Sequence, residues 1–270
     1  LSDLIDGRDG LTVVGDIHGD YLQLVHARDH AAAKNHALLF LGDVINRGPY
    51  SIPCMVLVRE LIETGRAAFI PGNHEMRARF YVRGEPMSEK DVNRSRWLLA
   101  ELEGKPDHLA ELTRFLETIA ACPLWLQAGV VAFAHGGFPE SLIDRTPITF
   151  EAHRYGPGPA ADIAINGDRV PEDPSQVSYT WLDRLSPEMR VYIGHDPYPV
   201  PAPWVRFGAR GAQLHHLDLG CGRTGGPVGL ADLARVDLER WMADRPGRLP
   251  AAGSQTRNVP VVSTRETRTN

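Results

Sequence analysis

Leu11-Thr12-Val13-Val14-Gly15-Asp16-Ile17-His18-Gly19 decides how the rest of this 270-residue chain is read. A short apolar, β-branched run that stops at Gly-Asp predicts a buried strand ending in a tight turn. The turn delivers an acid and an imidazole, two residues apart, to the carboxyl end of that strand, where open α/β sheets bind their ligands. Two later stretches repeat the plan. Ala37 to Leu41 runs into Gly42-Asp43, and Ala67 to Ile70 runs into Pro71-Gly72-Asn73-His74-Glu75. Between them lie two stretches of helical spacing: Asp20 to Ala33, with Asp20 placed as its cap, and Ser51 to Thr64, ended by Gly65. The order β-α-β-α-β predicts a parallel sheet with right-handed crossovers.

Further along, Met76 to Ala121 reads as a helical insert or flank. Val130 to Ala134 and Arg190 to Ile193 read as strands that end in His135-Gly136-Gly137 and Gly194-His195. Residues 138–188 are rich in Pro, Gly and Asp without periodicity, which predicts a long irregular cover over one edge and a place for substrate selectivity. Ala212 to Val236 reads as paired antiparallel strands around a Gly-rich turn, and Asp237 to Ala243 as a short helix. One domain is expected over residues 1–244. Residues 245–270, with almost no core-forming side chains, are expected to be a poorly ordered or extended polar tail.

The 43% apolar content supports a sizeable core, and a net charge of −5 gives no broad basic footprint for nucleic acid. Cys54, Cys122 and Cys221 are odd in number, distant and without a CxxC, the pattern of buried thiols in a reducing compartment. Without an apolar run of 18 residues or a secretory leader pattern, a cytoplasmic protein with no membrane partner is expected. Lysine is confined to Lys34, Lys90 and Lys105, so arginine carries nearly all the positive charge. Codon bias explains that in bland terms; the functional reading is that some guanidinium groups grip phosphate with two donors at once.

The strand ends offer Asp16, His18, Asp43, Asn73, His135 and His195. Carboxylate, amide and imidazole in that mixture suit a pair of divalent ions, Mn²⁺ first, with Fe²⁺, Zn²⁺ and Ni²⁺ as alternatives, and not Ca²⁺, which prefers more oxygen. Asp43 is placed as the bridging ligand because it ends the central of the first three strands. Ions so bridged sit about 3.5–4 Å apart, lower the pKa of a shared water and neutralise a transferring phosphoryl group. His74 is left over to act as general acid on the leaving oxygen. Arg47, on the loop of Asp43, can clamp two phosphate oxygens. His26, His30, His36, His108, His153, His215 and His216 have no motif around them and read as surface or structural.

Gly-Asp-Ile-His-Gly, Gly-Asp-x-x-x-Arg-Gly, Gly-Asn-His-Glu, His-Gly-Gly and Gly-His, in that order from residue 11 to about 235, resemble the phosphoprotein phosphatase family of dinuclear metallophosphoesterases. Arg47-Gly48-Pro49, Arg154-Tyr155-Gly156, Tyr179-x-Trp181, Gly194-His195-Asp196-Pro197 and Leu217-Asp218-x-Gly220-Cys221 resemble a bacterial branch of it. That branch holds the phosphatase module of polynucleotide kinase-phosphatase and, more distantly, diadenosine tetraphosphate hydrolase. The resemblance implies a metallo-dependent phosphatase fold, α/β in class, with a central β-sandwich flanked by helices. It implies hydrolysis of phosphomonoesters, on phosphorylated protein at Ser, Thr or Tyr or on a small phosphoester, by attack of a metal-bridging hydroxide. The alternatives are a nucleotide phosphoesterase, acting on dinucleoside polyphosphate or on RNA-end or 2′,3′-cyclic phosphate, and a metal-binding protein with impaired chemistry.

Three departures from the family bear on the site. Asn46 stands where the family has an Asp that supports the catalytic His, here His74. Ser178 replaces a phosphate-binding Arg, for which Arg154 or Arg184 is expected to substitute. Asp196 replaces the usual Thr after the last histidine ligand.

Overall fold

Leu11 and Val13 bury toward one side of their strand and Val14 toward the other, so the strand has no wet face. The computed structural model, which describes residues 1–153, 159–197, 200 and 202–246, shows why. Its elements begin α1 (Ser2–Ile5), β1 (Gly10–Val14), α2 (Tyr21–Ala33), β2 (His36–Phe40), α3 (Ser51–Glu63) and β3 (Ala67–Phe69). Three helices follow: α4 (Asn73–Arg83), α5 (Glu89–Leu102) and α6 (Pro106–Ile119). The second half comprises β4 (Trp125–Ala128), β5 (Val131–Ala134), α7 (Pro159–Asn166), β6 (Asp168–Val170), β7 (Asp173–Ser178) and β8 (Arg190–Ile193). It closes with β9 (Trp204–Phe207), β10 (Gln213–His216), β11 (Leu230–Ala234) and α8 (Arg235–Ala243).

One sheet has the order β11-β1-β2-β3 and the other β4-β5-β8-β10-β9. The inner strands of each run parallel, while β11, β4 and β9 are antiparallel to their neighbours at the edges. One buried cluster joins Leu11, Val13, Leu39 and Ile70 to Val131, Phe133, Tyr192 and Leu217, the inner faces of a sandwich. A second cluster puts Val14, Leu38 and Phe40 under Leu24 of α2, Met55 and Val58 of α3 and Phe115 of α6. Side chains of this size each contribute about 1.5–3 kcal/mol when fully buried. Because the first sheet is covered on both faces, its strands read as continuous apolar runs and not as alternation.

The parallel β1-β2-β3 unit, its two helices and the Asp20 cap, whose carboxylate accepts from the Gln23 N–H at 3.2 Å, follow the sequence reading. Two expectations are corrected. Residues 138–188 are not irregular throughout: they hold α7, the β6–β7 hairpin and two 3₁₀ turns. The two strands within 212–236 do not pair with each other, since β10 joins β8 and β9 while β11 returns to β1. A Gly-rich turn signals a reversal of the chain, but the partner it reverses onto is set by the far end of the sequence. Residues 1–10 include α1 and the start of β1. The edge strands β4 and β9 went unread, and in β9, Trp204-Val205-Arg206-Phe207, three of the four residues are exposed although the run is mostly apolar. Arg154 and residues 247–270 of the expected tail lie outside the described residues. No described helix is long and apolar enough to cross a membrane.

Candidate active site

The carboxyl ends of β1, β2, β3, β5, β8 and β10 open on one rim of the sandwich, and the turns that leave them carry the polar residues singled out above. Backbone hydrogen bonds zip the first two turns together. The Ile17 and His18 amides donate to the Asp43 carbonyl at 3.2 and 2.9 Å, Gly19 to Val44 at 2.8 Å and Gly48 to His18 at 2.7 Å. Among the described residues, seven that are not glycine have a left-handed backbone. Five of them, His18, Asp43, Asn46, Arg47 and His195, are at this rim. Such conformations cost about 1–3 kcal/mol each and persist where surrounding structure imposes them.

Asp43 is the centre of the geometry. Its Oδ2 lies 3.4 Å from His135 Nε2, 3.8 Å from His18 Nε2 and 3.9 Å from His74 Nε2, while its Oδ1 accepts from the His74 amide at 2.9 Å. Two groups share it: His18, Asp43 and His74 on one side, and Asp43, His135 and His195 on the other. Asp16 completes the first. Its Oδ2 is 3.4 Å from His18 Nε2, is buried and has no hydrogen-bond partner.

Two of the imidazoles are set to offer free nitrogens inward. Nδ1–H of His18 donates to the Ile45 carbonyl at 3.2 Å and Nδ1–H of His135 to the Leu41 carbonyl at 2.6 Å, which leaves both Nε2 lone pairs facing the carboxylates. Backbone partners of this kind fix the tautomer of a metal-binding histidine. His195 turns its Nδ1 inward, 3.1 Å from His135 Nε2 and 2.9 Å from the Asn73 side-chain nitrogen. An orphaned carboxylate oxygen, two shared groups and oriented imidazoles fit a pair of divalent ions.

Burial opposes every charge here. Burial works against the Asp43 carboxylate, yet His135, His74 and His18 outweigh it and hold its pKa well below the usual range. Burial likewise opposes the His135 imidazolium, but Asp43 and Asp16 push it up to about 10. Burial drives His18 down to about 4 and His74 and His195 well below their ordinary values. Burial and the neighbouring Asp218 raise Asp16.

Glu75, quoted in the sequence motif without a role, locks the site. Its carboxylate accepts from the amides of Asp43 at 2.8 Å, Val44 at 3.0 Å and Gly72 at 2.9 Å, tying the β2 turn to the β3 turn. Glu75→Gln presents an amide N–H₂ to backbone donors, so a loss of about 2–3 kcal/mol in unfolding free energy is expected by urea titration of the metal-free protein. A loss below about 0.5 kcal/mol would show that the three bonds are dispensable.

Two glycines make room for carboxylates. A Cβ on Gly72 would lie 2.3 Å from Asp43 Oδ1, and one on Gly194 would lie 2.2 Å from Asp16 Oδ1, which also accepts from the His195 amide at 2.9 Å. Gly194→Ala is therefore expected to displace Asp16 and weaken metal binding at least about tenfold by calorimetry. Unchanged affinity would mean that Asp16 has another seat.

The remaining sequence expectations fare unevenly. Arg47 lies 3.5 Å from His74 Nε2 at the mouth of the site, as expected. Asn73 is in place, but its Oδ1 accepts from Arg77 at 2.8 Å, and a half-turn of the amide is needed to present oxygen to an ion. Asn46 makes no hydrogen bond to His74. Its Oδ1 accepts from the Leu98 amide at 3.1 Å, its own amide donates to Ser51 Oγ at 3.1 Å, and its Nδ2 and His74 Nδ1 are both buried without partners. It pins its loop to α5. Arg184 is not brought to the site: its side chain is 68% exposed, 3.8 Å from Glu140, and lines a separate hollow.

The guanidinium that does reach the centre from that side is Arg169, whose Nη2 lies 3.0 Å from His195 Nε2. It sits on β6, whose Asp168 pairs with Ser178 across the hairpin, so the strand opposite Ser178 delivers the arginine. The site opens into a cavity of about 630 Å³ whose wall also carries Arg77, Lys90, Arg94 and Arg223. Sequence reasoning missed these four, because on helices and loops they look like ordinary solvated charges. Asp218, after β10, was quoted in a motif without a role. Its Oδ1 accepts from the Gly220 amide, its Oδ2 is buried without a partner, and burial, with the charge of Asp43, pushes it up to about 6.

A profile of the calcineurin-like phosphoesterases matches residues 11–235. An asymmetrical bis(5′-nucleosyl)-tetraphosphatase of Oceanobacillus iheyensis is 28% identical over 211 residues, 71% of this chain and 78% of the relative. One of the same name from Halalkalibacterium halodurans is 24% identical over 263 residues, 92% of this chain and 98% of the relative. The solved structure of a provisionally named diadenosine tetraphosphatase, 20% identical, superposes with a TM-score of 0.52 over 84% of this chain and 95% of its own.

Proposed function

The chain belongs to the calcineurin-like phosphoesterases, metal-dependent hydrolases of phosphoric esters, and from that premise we propose that it cleaves dinucleoside polyphosphates. The observation that carries this reading is the charge of the cavity. Arg47, Arg77, Lys90, Arg94, Arg169 and Arg223 line it, against Asp43 and Asp196. A single phosphoryl group at a two-ion centre is satisfied by one or two guanidinium groups; a chain of phosphates uses more. The names of the relatives support the same choice. The phosphoprotein reading of the sequence gives way to its nucleotide alternative.

Two divalent ions held by Asp16, His18, Asp43, Asn73, His135 and His195 would supply an activated water and neutralise the phosphoryl oxygens. Arg77, held by Asp91 at 3.0 Å, orients the Asn73 amide. Arg47 and Arg169 flank the centre, where they hold the oxygens of the attacked phosphate. His74, beside Arg47 and at the first turn of α4, donates to the oxygen that leaves. A phosphate chain is a good leaving group and needs little proton donation. That suits a His74 whose Nδ1 has no carboxylate behind it.

With the Mn²⁺-loaded protein, diadenosine tetraphosphate is expected to give AMP and ATP with a kcat/KM at least about tenfold above that for a phosphoserine peptide, the discrimination that one lost charged contact produces. A preference for the peptide would overturn the proposal.

A further inference from the structure

We infer that the outer wall of the cavity, Arg94 of α5 and Arg223 of the loop after β10, with Lys90 beside them and Arg169 of β6 shared with the centre, is a second phosphate subsite that reads the length of a phosphate chain and not the groups at its ends. This rests on the function proposed above and extends it to a substrate with no nucleoside, inorganic tripolyphosphate.

The first observation is unmatched charge. Arg77 in the same cavity is paired, its Nε 3.0 Å from Asp91. Among the described residues, Lys90, Arg94 and Arg223 have no such carboxylate, and Arg169 spends its guanidinium on His195 Nε2 at 3.0 Å and the Asn166 carbonyl at 3.4 Å. The second observation is convergence. After burial, the groups that act on Arg94 include Arg77, Arg169 and Arg223, all of its own sign, with Asp91 the opposing charge. Asp196 is the acid facing Arg169 and Arg223, and Tyr179 caps it through its hydroxyl at 3.4 Å. Like charges that gather around one space and outnumber the acids facing them, Asp91 and Asp196, are stabilised when an anion fills it, and the gain grows with each negative charge that enters.

The third observation concerns what the wall lacks. Pro197 is the one apolar residue among the described residues that line the cavity. Among the described residues, the wall offers cations and hydrogen-bond donors along its length and, apart from Pro197, no apolar side chain on which a base would rest. What it can discriminate is the number of phosphates beyond the one at Asp43.

Tripolyphosphate satisfies those terms. Water adds to a terminal phosphorus, the bond from that phosphorus to its bridging oxygen breaks, and the oxygen leaves with pyrophosphate. The products are phosphate and pyrophosphate, and the proton lost by water passes to solvent.

The test uses the Mn²⁺-loaded full chain with tripolyphosphate, diadenosine tetraphosphate, p-nitrophenyl phosphate and a phosphoserine peptide. Wild-type protein is expected to hydrolyse tripolyphosphate with a higher kcat/KM than p-nitrophenyl phosphate. Arg94→Ala should raise the ratio of the two KM values about 10–100-fold, the effect of one charge-assisted contact. Arg94→Lys should recover part of it, and Arg184→Ala, which removes an equal charge outside the cavity, should leave the ratio where it was. Circular dichroism confirms that each variant is folded. A ratio unchanged in Arg94→Ala, or moved equally by Arg184→Ala, would overturn the subsite. Cleavage of diadenosine tetraphosphate without cleavage of tripolyphosphate would overturn the length reading and leave the proposed function intact. A peptide preferred over diadenosine tetraphosphate, with tripolyphosphate cleavage still dependent on Arg94, would overturn the proposed function and support the subsite.

Discussion

Asp43→Asn is expected to lower turnover of every substrate by at least about 10³-fold, since charge stabilisation at a two-ion centre is worth several kcal/mol and each 1.36 kcal/mol is about tenfold in rate. The side chain keeps its size, and an amide can still face the His135 and His18 nitrogens, so the fold has no steric reason to fail. What is lost is the negative charge shared by the groups on either side of it. The same charge, together with that of Asp16, holds the His135 imidazolium, so the variant disturbs the metal-free site too. Steady-state kinetics at saturating Mn²⁺, with bound metal measured in parallel, separates the cases. Loss of turnover with loss of one or both ions is the expected result. Full activity would remove Asp43 from the centre of the account.

The second large effect belongs to His74, and it is expected to depend on what leaves. His74→Asn should slow hydrolysis of a phosphoserine peptide by about 10²–10⁴-fold, the usual worth of a general acid. The poorly basic p-nitrophenolate needs no proton, and the phosphate chain of a dinucleoside polyphosphate needs little, so both should slow much less. The geometry motivates the contrast: His74 Nε2 lies 3.9 Å from Asp43 Oδ2 and 3.5 Å from Arg47 Nη2, beside a guanidinium that lines the cavity. Equal losses on all three substrates would place His74 among the metal ligands, as its grouping with His18 and Asp43 allows. Retained peptide activity would remove it from the chemistry.

The centre was legible in the sequence because its constraints are local. Each ligand lies beside a glycine, and the structure supplies the reason at Gly72 and Gly194, where any side chain would occupy the seat of a carboxylate from another turn. The apolar runs before Gly15, Gly42 and Gly72 were legible as strands because both faces of that sheet are covered. Pairing at long range was not legible. β11 joins β1 across more than 200 residues, and nothing near Leu230 announces that partner. The arginines of the cavity wall were not legible for the same reason. Arg184 was expected to substitute for the arginine missing at Ser178, whereas Arg169 arrives because a hairpin register places Asp168 opposite Ser178. Arg94 lies on a helix, in Asp91-Val92-Asn93-Arg94, where it reads as solvated charge until Arg77, Arg169 and Arg223 are seen around it. Asn46 shows the opposite error. Its motif position pointed to His74, but its side-chain oxygen is taken by the Leu98 amide of a helix that sequence alone does not place.

The most direct test of the two-ion centre is a titration of chelator-treated protein with Mn²⁺, following hydrolysis of diadenosine tetraphosphate at each molar ratio. With protein well above the dissociation constants, the account predicts little hydrolysis up to one equivalent, a rise between one and two, and a plateau at two. Full activity at one equivalent, or activity in the metal-free protein, would contradict it.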